Sequence, residues 1–138
     1  MTRPRTQPAP DAALAFQEHM VQLVRALGLH KPDETPCGQP VSVGEAHALL
    51  EIAREAGITQ NGLAARLRLE KSTVSRLAAM LERRGWVRRV RDQHDARFIR
   101  LHLTQKGIAA NATIARSRRA KFENIFGAIP PGRRDAVV

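Results

Sequence analysis

The sequence has few cysteines and aromatic residues and no long hydrophobic run, and each scarcity excludes a class of protein. The single cysteine, Cys37, cannot form an intramolecular disulfide, which is typical of a reducing compartment such as the cytoplasm. Aromatic residues make up only 4% of the chain and tyrosine is absent, so surfaces that stack on single-stranded DNA or RNA bases are poorly supplied. No apolar run approaches the roughly 20 residues of a membrane span, and the N-terminus lacks the apolar segment of a signal peptide. We therefore expect a cytoplasmic protein with no membrane partner.

Acidic residues are scarce relative to basic ones. The 138 residues include 23 Lys and Arg but only 13 Asp and Glu, which gives a formal net charge of +10 and a pI of about 11.4. Such an excess favours a polyanionic partner, and double-stranded DNA fits better than RNA or a membrane surface. The length and the 43% hydrophobic content suit one domain with its own core.

No arrangement of residues indicates catalysis. The chain has no Ser/His/Asp spacing, no phosphate-binding glycine loop and no paired carboxylates on a helical face, so we expect neither enzyme activity nor a cofactor. The five histidines form no close-spaced ligand set, and no metal site is predicted. Two alternatives stay open near the second helix: redox sensing by Cys37, and zinc binding by His30, Cys37 and His47.

Hydrophobic periodicity and capping residues predict five helices and one β-hairpin. The helices are expected at 11–27, 42–57, 59–67, 71–84 and 104–129, and the strands at 86–91 and 97–103. Ser42 and Glu45 have the spacing of a capping box at the start of the second helix. The residues of that helix expected to face inward are Ala46, Leu49, Leu50 and Ala53. After two prolines and a glycine, the last six residues look like the first turns of a further helix.

The outer face of the fourth helix is unusual for a surface helix. At about 100° per residue, one side is apolar and the other combines small residues with arginines. The outer side consists of Ser72, Arg76, Ala79 and Arg83, flanked by Thr73 and Ser75. Small side chains allow close approach to base edges, and arginine binds guanine or phosphate. This face suits a DNA major groove; the alternative is a solvated basic face.

The predicted hairpin concentrates positive charge. Its basic residues are Arg88, Arg89, Arg91, Arg97 and Arg100. A narrow minor groove attracts an inserted arginine, and Asp95 has the spacing to hold Arg97 in a bidentate pair; the alternative is an ordinary turn ion pair. The candidate DNA contacts of the hairpin are Arg89, Arg91, His94, Asp95 and Arg97.

These motifs together resemble the MarR family of winged helix-turn-helix transcription regulators. The resemblance rests on Leu63-Ala64, Ser72-Thr73-Val74-Ser75-Arg76-Leu77, Leu81-Glu82-Arg83-Arg84-Gly85-Trp86-Val87-Arg88-Arg89, Asp95-Ala96-Arg97 and Leu103-Thr104-Gln105-Lys106-Gly107. Each motif is weak by itself, but their order and spacing are specific. The flanking helices extend the likeness over residues 11–129.

The resemblance implies a homodimer that binds a pseudo-palindromic DNA operator, often as a repressor released by a small aromatic effector. By position it gives the groove contacts to Ser72, Thr73, Ser75 and Arg76, and it makes Arg97 the wing arginine. The sequence departs from the family in two places. Ala96 stands where an arginine is common, which removes one phosphate contact, and the last family helix is expected to continue beyond residue 138.

The expected fold is mainly α with a small β-hairpin wing (α+β), a winged helix-turn-helix with dimerisation helices at both ends. It divides into a disordered N-terminal arm (1–10), an N-terminal dimerisation helix and loop (11–41), a winged helix-turn-helix DNA-binding domain (42–104) and C-terminal dimerisation helices (105–138), the last of them truncated. The competing hypothesis is a winged-helix protein-interaction module without DNA binding. A thiol- or metal-responsive sensor would be a version of the same regulator.

Overall fold

A computed structural model describes residues 10–138 and gives the following order of elements. They are α1 (Pro10–Ala26), α2 (Val43–Arg54), β1 (Ile58–Thr59), α3 (Gln60–Leu67), α4 (Lys71–Arg83), β2 (Val87–Arg91), β3 (Ile99–Leu103), α5 (Gln105–Ala128) and a terminal 3-10 helix (Pro131–Ala136). The predicted mainly α fold with a hairpin wing is confirmed. Apart from Pro10, which begins α1, the predicted N-terminal arm lies outside the described residues.

Side-chain caps fix where three of the helices begin. The Ser42 hydroxyl accepts a hydrogen bond from the Glu45 N–H at 3.1 Å, and the Glu45 carboxylate accepts one from the Ser42 N–H at 3.0 Å. This is the predicted capping box. Thr59 and Thr104 cap α3 and α5 in the same position, each accepting from the backbone N–H three residues later.

The sheet has three antiparallel strands in the order β1-β3-β2. Leu101, in the middle of β3, pairs with Ile58 on one side and with Arg89 on the other. The strand β1 was not predicted from the sequence, because a two-residue strand next to a helix cap shows no alternation. This short strand joins the β2–β3 hairpin, which we call the wing, to the helical body.

The core lies between α2, α3, α4 and the sheet. Its largest fully buried apolar side chains are Leu49, Ile52, Leu63, Leu81, Leu101 and Val74. The prediction for α2 was wrong in one respect, because Ile52 is buried and Ala53 is exposed. The buried face of α2 continues three residues after Leu49 rather than four, which brings the larger side chain into the core.

Apolar residues on α1 and on the second half of α5 lie outside this core. Phe16 is 67% exposed, and the other large exposed side chains include Leu14, Leu23, Phe122 and Phe126. Large apolar side chains exposed together on one helix indicate an interaction surface. Among residues 10–138, no helix has the length and apolar content needed to cross a membrane.

The start of α5 packs tightly against the turn that follows α4. The Thr104 hydroxyl donates to the Gly85 carbonyl at 2.6 Å, and the Thr104 N–H donates to the Trp86 carbonyl at 3.0 Å. A Cβ atom built on Gly107 would lie 1.9 Å from the same Trp86 oxygen, so this position requires glycine. The contact fixes the direction in which α5 leaves the end of α4 and the wing.

Candidate nucleic-acid interface

α4 carries the predicted groove-facing residues along its solvent side. Ser72, Arg76 and Arg83 are exposed, and Thr73 and Ser75 are half-buried on the flanks. The opposite side of the helix is buried in the core. The predicted division of α4 into a buried and an exposed face is therefore confirmed, and the DNA contact of each residue stays a prediction.

The two arginines of this exposed face have no acidic partner within residues 10–138. The Arg76 guanidinium lies 3.5 Å from the Thr73 hydroxyl. The acidic residue of α4, Glu82, pairs instead with Arg89 of β2, with an N–O distance of 2.7 Å. The positive charges of Arg76 and Arg83 are therefore available to an anionic ligand.

An ion pair between the buried Glu45 carboxylate and the more exposed Arg84 holds the C-terminal end of α4 against α2. Glu45 Oε1 accepts from Arg84 Nε at 2.8 Å, and the Arg84 guanidinium lies 5.0 Å from the centre of the Trp86 ring. Burial by itself raises the pKa of Glu45, but the hydrogen bonds from Arg84 and Ser42 outweigh it, so the pKa is lowered overall. This network holds the C-terminal end of α4 against α2, on the side opposite its exposed face.

The wing tip, residues 92–98, presents one arginine in a fixed conformation. Arg97 is 86% exposed, yet its guanidinium forms a bidentate pair with Asp95, with donor–acceptor distances of 3.0 and 2.7 Å. The pair lowers the pKa of Asp95 and raises that of Arg97, so both groups stay ionised. The predicted bidentate pair is present, and the guanidinium is held at the outer surface of the wing.

The other predicted wing residues differ in how far they are open to a ligand. Arg91 donates to the Ala96 carbonyl at 2.9 Å across the tip, and His94 is exposed. Arg89 is bound to Glu82, and this hydrogen bond lowers the pKa of the carboxylate. Arg89 thus has a partner inside the protein that joins the wing to α4, and its contact with a nucleic acid stays a prediction.

Asp92 and Arg100 organise the wing tip, a role that was not predicted for them from the sequence. The Asp92 carboxylate accepts from two backbone N–H groups of the tip and from Arg100. An aspartate that starts a short polar turn often bonds to the backbone two residues later, so this signal was present in the sequence. The cross-strand pairing with Arg100 depended on a register that only the structure supplies.

A pocket of about 240 Å³ lies where α2 and the 29–41 loop meet α5. Its apolar lining includes Leu27, Leu29, Ala46, Ile114 and Phe122, and its polar lining includes His47, Arg118 and Lys121. The mixture of aliphatic, aromatic and cationic groups suits a small ligand that has an apolar body and an acidic group.

Cys37 lies at the edge of this pocket and is half-buried, with its sulfur 3.0 Å from the Thr35 hydroxyl. In the part of the chain that the structure describes, no three His, Cys, Asp or Glu side chains come together as a metal site would require. The structure therefore gives no support to zinc binding by His30, Cys37 and His47. Redox sensing by Cys37 stays a hypothesis.

Comparison with known proteins identifies the framework that carries this face and wing. A model of the MarR family matches residues 39–97, which contain α2 to α4, β2 and the wing tip as far as Arg97. Over these residues the chain is similar to the MarR family. Together with the arrangement of helices and strands described above, the match shows a winged helix-turn-helix fold like that of solved MarR structures. In this fold α4 has the position of the recognition helix, and β2–β3 form the wing.

Individual relatives agree with this assignment. The HTH-type transcriptional regulator SarZ of Staphylococcus haemolyticus (strain JCSC1435) is 30% identical over 76 residues, which are 55% of this chain and 52% of that regulator. The match thus spans about half the length of that relative. A MarR transcriptional regulator from Methanosarcina mazei Go1 is 26% identical with a TM-score of 0.69, over 87% of this chain and 88% of that one.

A third comparison concerns the fold. The PcaV transcriptional regulator from Streptomyces coelicolor, solved in complex with its natural ligand, has a TM-score of 0.67 at 19% identity. The likeness covers 99% of this chain and 92% of that one. The MarR-family fold therefore extends over the described part of the chain, including the helices on both sides of the wing domain.

Proposed function

We propose that this chain is a cytoplasmic, homodimeric transcription regulator that binds a specific, pseudo-palindromic DNA duplex. One observation carries the proposal: α4 presents unpaired Arg76 and Arg83 beside Ser72, next to a wing that holds Arg97 outward. A small, cationic helical face suits the major groove, and a fixed arginine suits the backbone or minor groove beside it. The role is one of binding and includes no reaction, as the sequence analysis expects.

The homodimer accounts for the exposed apolar faces at both ends of the chain. In a single subunit, Phe16 of α1 and Phe122 and Phe126 of α5 are open to solvent. Burial of this apolar surface against a second copy would stabilise the dimer by about 25 cal/mol for each Å² removed from water. A two-fold dimer would also present two recognition helices, which suits an operator with two-fold symmetry.

We further propose that the pocket between α2, the 29–41 loop and α5 binds a small aromatic effector that releases the DNA. Its volume of about 240 Å³ suits a single-ring compound, with Arg118 and Lys121 available for an acidic group. The related PcaV structure, solved with its natural ligand, supports a ligand-binding role for this fold. Titration with aromatic acids and phenols should raise the melting temperature and weaken DNA binding. A panel that changes neither quantity contradicts the effector proposal.

Selection of bound sequences from a random duplex pool tests the DNA-binding proposal most directly. We expect a two-fold symmetric sequence with half-sites about one helical turn apart, and an affinity that falls steeply with salt. Absence of enrichment and of any mobility shift at low salt would sink the proposal and favour the protein-interaction module instead.

Two variants separate the roles within the interface. Arg76→Ala should cost about 1–3 kcal/mol of binding free energy and relax the sequence preference, whereas Arg97→Ala should weaken all duplexes and reduce the salt slope by about one. Arg119→Ala on α5 is the control, because it removes the same charge from a side chain paired with Glu123 outside the wing domain. Parent-like binding by both interface variants contradicts the model.

A further inference from the structure

The wing tip is organised around the carboxylate of Asp92. This side chain is only 7% exposed, although most residues of the tip are exposed. Its Oδ1 accepts hydrogen bonds from the N–H groups of His94 at 2.8 Å and Asp95 at 3.0 Å. The Asp92 N–H donates to the Phe98 carbonyl at 2.9 Å. One residue therefore fixes the backbone on both sides of the tip.

The second oxygen of Asp92 connects the tip to the helical body. It accepts from Nε of Arg100 in β3, and Nη1 of Arg100 donates to the Gly57 carbonyl at 2.8 Å, in the turn before β1. Arg100 is thus bound to internal partners on two sides. Arg97, by contrast, is bound only at the tip and remains open to an external anion.

The same contacts keep the Asp92 carboxylate negatively charged. The hydrogen bond from Arg100, together with those from the His94 and Asp95 N–H groups, lowers the pKa of Asp92 to about 2. The carboxylate is therefore ionised throughout the neutral pH range. The bracing of the tip does not depend on small changes in pH.

We propose that Asp92 is a positioning residue for DNA binding. By holding the backbone at Asp95 it places the carboxylate that binds Arg97, and so it sets the wing arginine before a duplex arrives. The inference rests on the proposed function and deepens it, because it concerns how the wing of that same interface is prepared. Asp92 itself carries the same sign of charge as DNA and makes its contribution through Arg97.

The negative charge of Asp92 makes a positioning role distinguishable from general electrostatics. Replacing this carboxylate raises the net charge by one, and charge alone then favours tighter binding to phosphate. Positioning predicts weaker binding. Glu70 offers a matched control, since it is exposed next to the recognition helix and its side chain makes no capping hydrogen bond.

The first experiment measures the dissociation constant for the selected duplex in the parent and in the Arg97→Ala background. We expect Asp92→Ala to weaken binding about tenfold in the parent and less than about twofold when Arg97 is absent. Asp92→Asn should lie between, because its amide oxygen still accepts from the backbone. Glu70→Gln should bind as tightly as the parent or more tightly. An Asp92→Ala protein that binds like the parent, or that loses equally in both backgrounds, overturns the proposal.

The second experiment needs no DNA. Backbone ¹⁵N relaxation should give order parameters of about 0.8 for the tip of the parent and below about 0.6 for Asp92→Ala, while the helices stay rigid. If the alanine variant does not fold, Asp92→Asn takes its place, with order parameters of the tip expected between these two values because its amide oxygen can still accept from the backbone. A tip that stays rigid without Asp92 overturns the positioning role. If the parent binds no duplex while the tip still loosens, the DNA-binding proposal fails and the bracing of Arg97 by Asp92 stands.

Discussion

Arg68 ends α3 in a left-handed conformation, with φ 53° and ψ 43°. It is the one non-glycine residue with positive φ among residues 10–138. In this conformation the N–H of the next residue, Leu69, donates a hydrogen bond to the Ala64 carbonyl at 3.1 Å. This bond closes the turn of the helix-turn-helix. An L-residue with a side chain is disfavoured there by roughly 1–2 kcal/mol, and glycine is not.

Replacing Arg68 with glycine should therefore stabilise the protein. We expect the free energy of unfolding in urea to rise by up to about 1 kcal/mol, after allowing for the greater freedom of glycine in the unfolded chain. Arg68→Ala is the control, because it removes the same charge but keeps the strain. A glycine variant no more stable than the alanine variant would contradict this reading of the turn.

The lowered pKa of Glu45 predicts how the stability of the protein depends on pH. Its pKa is lowered below the ordinary value of 4.5, so its contribution to stability is present above that value and is lost as the pH falls through the lower pKa of the folded state. Glu45→Gln should cost about 1–3 kcal/mol at neutral pH, because Arg84 loses its buried partner. Urea unfolding across pH 2–7 should show a shallower acid limb for the variant. Equal slopes for both proteins would exclude Glu45 as a source of the pH dependence.

At the residue scale, the sequence was informative where one helix face or one local turn decides the outcome. The exposure of Ser72, Arg76 and Arg83 follows from helical periodicity, and the Asp95–Arg97 pair spans two residues. The internal partners of other arginines could not be predicted in this way. Arg100 reaches Asp92 and the Gly57 carbonyl only because β3 pairs with both neighbouring strands.

At the scale of elements, the start of α5 decides how the helices are arranged. Gly107→Ala should destabilise the protein by about 1–3 kcal/mol or prevent folding, because the new methyl group meets the backbone oxygen of Trp86. Gly127→Ala in the same helix has no neighbour within 4 Å and should stabilise it by about 0.5–1 kcal/mol. Thermal unfolding of the two variants should show shifts of opposite sign. Shifts of the same sign would contradict the packing described for Gly107.

Helices that begin at a capping residue could be predicted from the sequence. A short strand and a buried face that depend on tertiary contacts could not. Ser42, Thr59 and Thr104 cap the three helices whose predicted ranges begin at these positions. The strand β1 consists of Ile58 and Thr59 and is stabilised only by its pairing with β3. The burial of Ile52 in place of Ala53 reflects which side of α2 meets the sheet and α3, and periodicity alone does not fix that angle within one residue.

At the scale of the whole molecule, the exposed apolar faces of α1 and α5 allow a test of the proposed homodimer. Phe16→Glu places a charge on the α1 face, and we expect a monomer in sedimentation velocity where the parent is a dimer. The subunit should melt at a similar temperature, because Phe16 is 67% exposed within it. Ala53→Glu adds the same charge to an exposed position of α2 and should leave the dimer intact. A Phe16→Glu protein that remains dimeric would place the interface elsewhere.

The close packing of Gly107 against the Trp86 carbonyl determines how a movement of α5 would be transmitted in the proposed dimer. α5 has 24 residues, so it is a rod about 36 Å long whose first turn is fixed to the Trp86 carbonyl. A rotation of about 5° at its far end would displace the recognition helix by about 3 Å, close to the 3.4 Å rise of one base pair. The pocket lies against the middle of this rod, at Ile114 and Arg118. In the proposed dimer, an effector bound in this pocket would need to tilt α5 by only a few degrees to shift the spacing of the two recognition helices by about one base pair.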